Sequence, residues 1–225
     1  MQLKLSIVIP TLNEADQIEH CLIKLQEIRQ LGHEVIVVDG GSNDNTVTLA
    51  SALCDQIIKS EKSRSVQMNK GAAVAAGNCF IFLHADTILP DDVANLFSQI
   101  KNVENVWGRF DINLSGRAWL FRIVEKCMNI RSRFTGIATG DQVIFVGKEL
   151  FIKINGYPEL ALMEDIAISR LLLGLSKPMC LSDKVISSSR RWEKNGIIKT
   201  IIKMWVLRLL NYFNYDTNKL AKHYL

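Results

Sequence analysis

Four short strand-like runs, Leu3–Ile9, Glu34–Asp39, Ile57–Ile58 and Cys79–Leu83, recur through the first hundred residues with helix-patterned segments between them. Runs of this length read as buried strands, and strands separated by helices are joined by right-handed crossovers into a mainly parallel sheet. The intervening segments fit that reading. Asn13 is placed as the N-cap of an amphipathic helix carrying Ile18, Leu22, Leu25 and Ile28. A Gly-Gly-Ser-Asn-Asp-Asn turn after Asp39 leads into a helix through Leu49 and Leu53, and Arg64–Ala76 and Asp91–Ile100 are further helices. The fold class that follows is α/β.

The second half is less regular. Val106–Leu114 reads as a strand turning outward, Ala118–Met128 as a helix, Gln142–Val146 as a strand and Lys148–Ile154 as a helix. Gly156-Tyr157-Pro158 is a turn, and Met163-Glu164-Asp165 opens a helix through Leu173. Val185–Ser189 is a last strand before a long basic, apolar helix from Gly196 to about Tyr212. With 225 residues, 48% of them apolar, the chain fits one domain with a full core and needs no staples. Its five cysteines are scattered and contain no CxxC pair, which predicts reduced thiols and argues against structural zinc. Met1 leads straight into the first strand without a basic leader, and no apolar run is long enough to span a bilayer. The expectation is a cytoplasmic protein, soluble or peripherally attached at the inner membrane face.

The net charge of +4 is unevenly spread. From Arg190 onward eight Lys/Arg face Glu193 and Asp216, so that segment is 8 − 2 = +6 and the rest is −2. A basic tail of this kind meets phosphates, anionic lipid or only water. Nucleic-acid binding is not expected, because these residues belong to no fold made for it. For the helix around Trp205, packing on the domain and lying on a membrane surface are both open.

Several groups at expected strand ends can do chemistry. His84 and Asp86 follow the fourth strand two residues apart; in strand geometry both would face one ion, or Asp86 would merely cap the next segment. Asp39 and Gly41 end the second strand, where a carboxylate and glycines suit a nucleoside base or ribose approached by backbone. Asp44 reads as structural. The helix opened by Arg64, with Asn69 and Lys70, offers N–H groups and cations to a diphosphate, or is a solvated basic face. Glu164 and Asp165 either satisfy their own helix N-terminus or supply a general base.

Taken in order, Ser6-Ile7-Val8-Ile9-Pro10-Thr11-Leu12-Asn13-Glu14, Val38-Asp39-Gly40-Gly41-Ser42, Arg64/Asn69/Gly71, His84-Ala85-Asp86, Gly140-Asp141-Gln142, Glu164-Asp165 and Arg190-Arg191-Trp192 resemble the family 2 glycosyltransferases. The resemblance covers residues 6 to 192 and is closest to a small bacterial subgroup with His-Ala-Asp and Ser-Arg-Arg-Trp signatures, some members of which are linked to arsenosugar biosynthesis. It implies a GT-A fold: a Rossmann-like, mainly parallel central sheet flanked by helices, with a nucleotide-sugar-binding half (1–103), an acceptor-binding half (104–192) and C-terminal helices (193–225). It implies inverting transfer from a nucleoside-diphosphate sugar to an acceptor hydroxyl, with UDP favoured and GDP open. Pro10, Thr11, Asn13 and Glu14 would line the nucleotide pocket, Asp39 would hold base or ribose, and Asp86 would bind Mg²⁺ or Mn²⁺. Asp165 would be the base beside Glu164, and Arg190, Arg191 and Trp192 would stand near the diphosphate and acceptor. The family usually has Asp-x-Asp where this chain has His84-Ala85-Asp86, so His84 would ligate the metal or orient Asp86. Two other readings remain: a catalytically silent nucleotide-sugar-binding relative, and a sugar-phosphate nucleotidyltransferase. The latter is disfavoured because Pro10-Thr11-Leu12-Asn13 contains no glycine.

Overall fold

A computed structural model describes residues 3–213, 215 and 217. The elements run β1 (Leu5–Thr11), α1 (Ala15–Lys24), α2 (Gln26–Gln30), β2 (Glu34–Asp39), α3 (Thr46–Ala50), β3 (Gln56–Lys59), α4 (Arg64–Val74), β4 (Cys79–Phe82), β5 (Thr87–Ile88), α5 (Val93–Ser98), β6 (Trp107–Leu114), α6 (Trp119–Thr135), β7 (Ile144–Gly147), α7 (Lys148–Lys153), α8 (Glu164–Leu173), β8 (Met179–Ser187), α9 (Arg190–Asn195) and α10 (Ile197–Tyr212). One sheet takes all eight strands in the order β3-β2-β1-β4-β7-β6-β8-β5. β1, β2, β3 and β4 are mutually parallel, β7 is antiparallel to β4 and β6, and β8 runs parallel to β6.

Alternation along the strands decides which face each side chain serves. Ile7, Ile9, Val35, Val37, Cys79 and Ile81 face one layer, packed with Ile18, Leu22, Ile28 and Phe97. Val8, Ile36, Val38, Phe80 and Phe82 face the other, against Met68, Ala72, Phe151, Ile168 and Leu172. Both faces are covered, which is why the β1, β2 and β4 segments read as continuous apolar runs. Each such side chain contributes about 1.5–3 kcal/mol by burial.

Several local expectations are corrected. Asn13 does not cap α1. It sits at φ 54 outside the helix, and Glu14 occupies the N-cap position. The N–H groups there are met from across the fold: Glu14 N donates to Thr46 Oγ1 (2.8 Å) and Ala15 N to Asp44 Oδ2 (3.1 Å). The first helix breaks in two at Leu25, and α6 continues to Thr135 rather than stopping at Met128. Strand β6 lies inside the sheet between β7 and β8 instead of turning outward. Strand β8 begins at Met179, six residues before the expected start at Val185, because its first six residues are at most half-buried, Ser182 and Lys184 are exposed, and they show no clean apolar run. The basic α10 packs Ile197 and Ile201 against Phe121 and Val124, and Met204, Leu207 and Leu210 near Met163 and Ile166. Asp216, Lys219 and Lys222 of the basic tail lie outside the described residues.

Helix α4 approaches the sheet at Gly71, where an added Cβ would stand 2.4 Å from Val8 Cγ1 and 3.0 Å from Val38 Cγ2. Both neighbours are β-branched and locked in the core. Gly71→Ala is expected to destabilise the fold by about 1–3 kcal/mol, lowering the melting temperature by roughly 2–10 °C; an unchanged melting curve would show that α4 shifts freely on the sheet.

Candidate functional site

Strand order reverses at β1: the chain passes to β2 on one side and to β4 on the other. The carboxyl ends of β1, β2 and β4 therefore splay apart into a crevice, the place where open α/β sheets bind ligands. Thr11 and Asp39 are register partners at this edge. Gln67, reaching up from α4, clamps them by donating to both Thr11 O (2.9 Å) and Val38 O (2.7 Å). Gly40 lies against that amide, with a hypothetical Cβ 3.1 Å from Nε2. Sequence reading missed this clamp, because a buried glutamine inside a helix has no motif.

The β1–α1 and β2–α3 loops are stitched together. Asn13 N donates to Ser42 Oγ (2.9 Å), and Asn13 Oδ1 accepts from Asn43 N (2.8 Å). The buried Asp39 carboxylate accepts from Gly41 N (3.0 Å), Ser42 N (3.0 Å) and Ser42 Oγ (2.5 Å), so it builds the rim of its own turn. Gly41 is at φ 92, a conformation that suits glycine. Pro10 is half-buried beside this rim.

Glu14 is half-buried at the N-cap of α1. Its Oε2 is buried without a hydrogen-bond partner, and Arg190 from α9 stands 3.6 Å away. Burial, reinforced by the Asp86 charge, raises the Glu14 carboxyl above its ordinary value, while Arg190, Arg64 and Arg191 oppose the rise. One acidic pair and three arginines from four different elements thus share one electrostatic neighbourhood.

The expected geometry of His84 and Asp86 is corrected. β4 ends at Phe82, and Thr87 N donates to His84 O (3.0 Å), closing a turn across Ala85 and Asp86. The two side chains are not on one strand face. The imidazole turns toward the Gly140–Gln142 turn: Nδ1 is 3.7 Å from Asp141 Oδ1, and a Cβ on Gly140 would meet Nε2 at 2.7 Å. Burial first, then the Arg64 charge, pulls the imidazole down to about 4, so it is neutral near pH 7. Asp86 accepts a long hydrogen bond from Thr87 Oγ1 (3.4 Å), and its carbonyl accepts from Ser188 N (3.1 Å), tying it to the end of β8.

No group of three His, Cys, Asp or Glu among the described residues gathers tightly enough to hold an ion alone. The donor set nevertheless fits a hard divalent cation bound mainly through substrate oxygens. Asp86 supplies the carboxylate, with the orphaned Glu14 oxygen in the same electrostatic neighbourhood.

Glu164 and Asp165 open α8 behind Met163, which is held at φ 66. Val143, a β-branched residue at φ 53, ends the Gly140–Gln142 turn. Bulky residues in the left-handed region mark backbone that the surroundings over-determine. Asp165 is fixed at both oxygens: Oδ2 accepts from Gly140 N (3.0 Å) and Oδ1 from Ile166 N (2.7 Å). His84, Gly140, Asp165 and Glu164 line one small cavity with Met68, Phe82, Ile144 and Tyr157, with about 10 Å³ of space, room for about one water. Burial in this apolar wall, then the Asp165 charge, pushes Glu164 up to about 7.

Two expected ligand residues, Asn69 and Trp192, are engaged in packing and backbone contacts. Asn69 spends its amide on the Tyr157 backbone, donating to Tyr157 O (2.9 Å) and accepting from Tyr157 N (2.8 Å). Lys70 is exposed on α4, and Trp192 packs into the cluster of Ile112, Leu114 and Phe121. Arg64, Arg190 and Arg191 remain at the rim, all on exposed helix starts. Two further arginines reach this region unannounced by any motif: Arg131 of α6 lies in the field of Asp165, and Arg208 of α10 in the fields of Asp165 and Asp141.

Residues 6–147 match the family described as glycosyl transferase family 2. An uncharacterized glycosyltransferase of Escherichia coli K12, YibD, is 27% identical over 154 residues, covering 64% of this chain and 44% of that protein. The solved structure of Staphylococcus aureus TarS 1-349 superposes with a TM-score of 0.68 at 18% identity, over 93% of this chain and 66% of that one. The mannosyltransferase PcManGT of Pyrobaculum calidifontis, solved with GDP-Man and Mn²⁺, gives 0.63 at 20% identity, over 83% of this chain and 57% of that one. TarS has also been solved with UDP-GlcNAc. These likenesses identify the fold as the mixed α/β architecture of GT-A glycosyltransferases. The chain spans under half the length of the curated relatives it matches.

The Glu164 carboxyl yields a signed prediction. Its native value, about 7, lies above the ordinary 4.5, so the folded state holds a proton that the unfolded chain releases. The native fold therefore loses stability as pH rises from about 4.5 through 7, by on the order of 1–3 kcal/mol. Glu164→Gln removes the titration, so the variant should match or trail wild type near pH 4.5 and gain on it toward pH 8. Denaturant unfolding at both pH values measures this, and a pH-independent difference would refute the assignment.

Proposed function

The chain belongs to glycosyl transferase family 2, and from that membership we propose that it moves a glycosyl group from a nucleoside-diphosphate sugar to an acceptor hydroxyl with inversion. The observation that supports this most is the gathering of Glu14, Asp86, Arg64, Arg190 and Arg191 into one electrostatic neighbourhood beyond the carboxyl end of β1.

The rim of Asp39, Gly41, Pro10 and Thr11 offers backbone and carboxylate to a base and ribose. UDP is favoured, and GDP is the second arm of the test. Arg64, Arg190 and Arg191 face the charge that grows on a departing diphosphate. Asp86 would hold the Mg²⁺ or Mn²⁺, with donor phosphates completing its shell; when bound, that ion supplies further neutralisation of the leaving group. His84, neutral and seated on Gly140, orients the wall between the two halves. Asp165 takes the proton from the acceptor hydroxyl at one carboxylate oxygen, with its orientation set by Gly140 N–H. A single positioned carboxylate suffices for one in-line displacement, so inversion needs no enzyme nucleophile.

Peripheral membrane contact is part of the proposal. No helix among the described residues is long and apolar enough to cross a membrane. Yet α10 leaves Ile198, Ile202, Trp205, Leu209 and Tyr212 exposed on one stripe, Trp205 at 70%, opposite the face packed on the domain. Helix α6 likewise exposes Trp119, Ile123, Ile130 and Phe134. Lys126, Lys199 and Lys203 stand beside these stripes, a complement to anionic lipid.

Two experiments test these statements. Calorimetric titration with UDP and GDP, with and without Mn²⁺, should find one nucleotide bound by wild type and, within about twofold, by Asp165→Asn. That variant should lose about 10²–10⁴-fold in turnover of the matching donor. Equal loss of binding and turnover would remove Asp165 as the base. Wild type should also float with phosphatidylglycerol vesicles while Trp205→Glu stays in solution. Failure of wild type to float would dismiss the membrane contact, and a dimer dissolved by Trp205→Glu would give the face to a second copy instead.

A further inference from the structure

Between α6 and β7 the chain makes one tight turn, with Gln142 N donating to Thr139 O (2.8 Å) and Val143 N to Gly140 O (3.0 Å). The Gly140 N–H of this turn donates to Asp165 Oδ2 (3.0 Å). The His84 ring closes off one side of Gly140, where an added Cβ would stand 2.6 Å from Cε1. The turn ends on Val143 at φ 53, which a β-branched residue holds only where its surroundings impose it. At its start the segment is tied to α8, since Ala138 N donates to Ser169 Oγ (3.2 Å). At its end it is tied to α6, and Gln142 makes that tie.

Gln142 is fully buried. Its Nε2 donates to Ser132 Oγ (3.0 Å) and Asn129 Oδ1 (3.4 Å) on α6, and its Oε1 accepts from Thr139 Oγ1 (3.4 Å). Asn129 is itself pinned to β6, accepting from Ile112 N (2.9 Å) and donating to Ile112 O (3.1 Å). Hydrogen bonds thus lead from the sheet through Asn129 and Gln142 to the turn that carries Gly140. An apolar side chain of the same length would fill the space without desolvating an amide. A glutamine brings one acceptor and two donors, and here they are spent on holding the turn. Gln142 does not line the cavity shared by His84, Glu164 and Asp165, so its route to them is the turn itself.

We propose that Gln142 is a positioning residue for the transfer step: by anchoring the turn to α6 it fixes the Gly140 N–H that holds one oxygen of Asp165 and so aims the carboxylate at the acceptor hydroxyl. The two hydrogen bonds on that carboxylate are not equivalent. Ile166 N, on Oδ1, belongs to the same helix and moves with Asp165, whereas Gly140 N, on Oδ2, is a reference outside α8. Without the Gln142 amide the strained turn is free to relax and the reference shifts. A displacement of about 1 Å at a reacting group costs on the order of 10²-fold in rate. The inference rests on the transferase reading for the role of Asp165, while the hydrogen bond from Gly140 is measurable without it.

Two readouts on the full chain test this. The first is the Gly140 amide proton resonance, which a carboxylate acceptor holds downfield. It should move upfield in Gln142→Met, in the same direction as in Asp165→Ala, which removes the acceptor. The second is hydrolysis of UDP-GlcNAc and GDP-Man with Mn²⁺, water standing in for the acceptor hydroxyl: its oxygen bonds to the anomeric carbon, the nucleoside diphosphate leaves, and the proton passes to Asp165. Gln142→Met should lower this turnover about 10–100-fold while nucleotide binding stays within about twofold. In the Asp165→Asn background the same change should cost less than about twofold, because a residue acting through Asp165 has nothing left to act on. Equal losses in both backgrounds, or a Gly140 resonance unmoved by Gln142→Met, would overturn the proposal. Where Asp165→Asn keeps its turnover, or wild type hydrolyses neither donor, the base assignment is what fails to gain support, and the resonance alone decides whether Gln142 sets the hydrogen bond. Ser132→Ala, which removes an acceptor of the Gln142 amide, should move the same resonance in the same direction, and it carries the test if Gln142→Met does not fold.

Discussion

Strand β1 lies buried between two parallel neighbours, and each backbone N–H and C=O along it must find its partner in β2 or β4. That requirement fixes register, since a one-residue slip would exchange the two apolar faces of the sheet. It also sets where the strand order reverses. With β2 and β4 leaving β1 in opposite directions, their following loops must diverge, and only at the carboxyl edge do they open a crevice. Gln67 holds that edge closed at its base by spanning the ends of β1 and β2, so the rim residues above it do not need to hold the strands together.

Charge is distributed around this crevice by element rather than by sequence neighbourhood. Glu14 comes from the start of α1, Asp86 from the turn after β4, Arg64 from α4, and Arg190 and Arg191 from α9. Of these groups Glu14 registers the others: burial and the Asp86 charge raise its carboxyl, and Arg190, Arg64 and Arg191 oppose the rise. Three of the five non-glycine residues at positive φ among the described residues follow the same map, while Asn102 and Asn155 lie in other loops. Asn13, Val143 and Met163, at φ 54, 53 and 66, lie in the loops that deliver Glu14, the Gly140 turn and the Glu164–Asp165 pair. Strain of this kind persists where tertiary contacts outweigh local preference, and functional loops are where it collects.

The same distinction explains what the sequence could say. Strands β1, β2 and β4 were legible because burial on both faces leaves an uninterrupted apolar run. Strand β8 was not legible through its first six residues, since Ser182 and Lys184 face water and break the pattern. Asn13 carries the residue type of an N-cap, yet the cap is filled by Thr46 and Asp44 from another loop, a tertiary substitution with no local trace. The strand geometry expected of His84 and Asp86 does not hold for a related reason: β4 stops at Phe82, so strand periodicity no longer applies two residues later, although the Asp86 charge still acts on the imidazole. Asn69 and Trp192 follow a family's order of residues, but order does not reveal that one clamps Tyr157 and the other packs on Phe121.

Helix α10 shows why the last part of the site was hardest to see. By composition it is a basic, apolar helix, and that description does not separate a packed helix from one lying on a surface. In the fold it does two jobs on two faces. One face closes the small cores around Phe121 and Met163, and the opposite face stays exposed through Trp205 and Leu209. Arg208 sits at the boundary between them, where packing forces its Nε under cover while its charge stays within reach of Asp165. A helix that only sealed the core would place an apolar residue there, and a helix that only bound a surface would let the arginine extend into solvent. Holding the guanidinium half-buried within the field of Asp165 links the outer layer of the domain electrostatically to the start of α8.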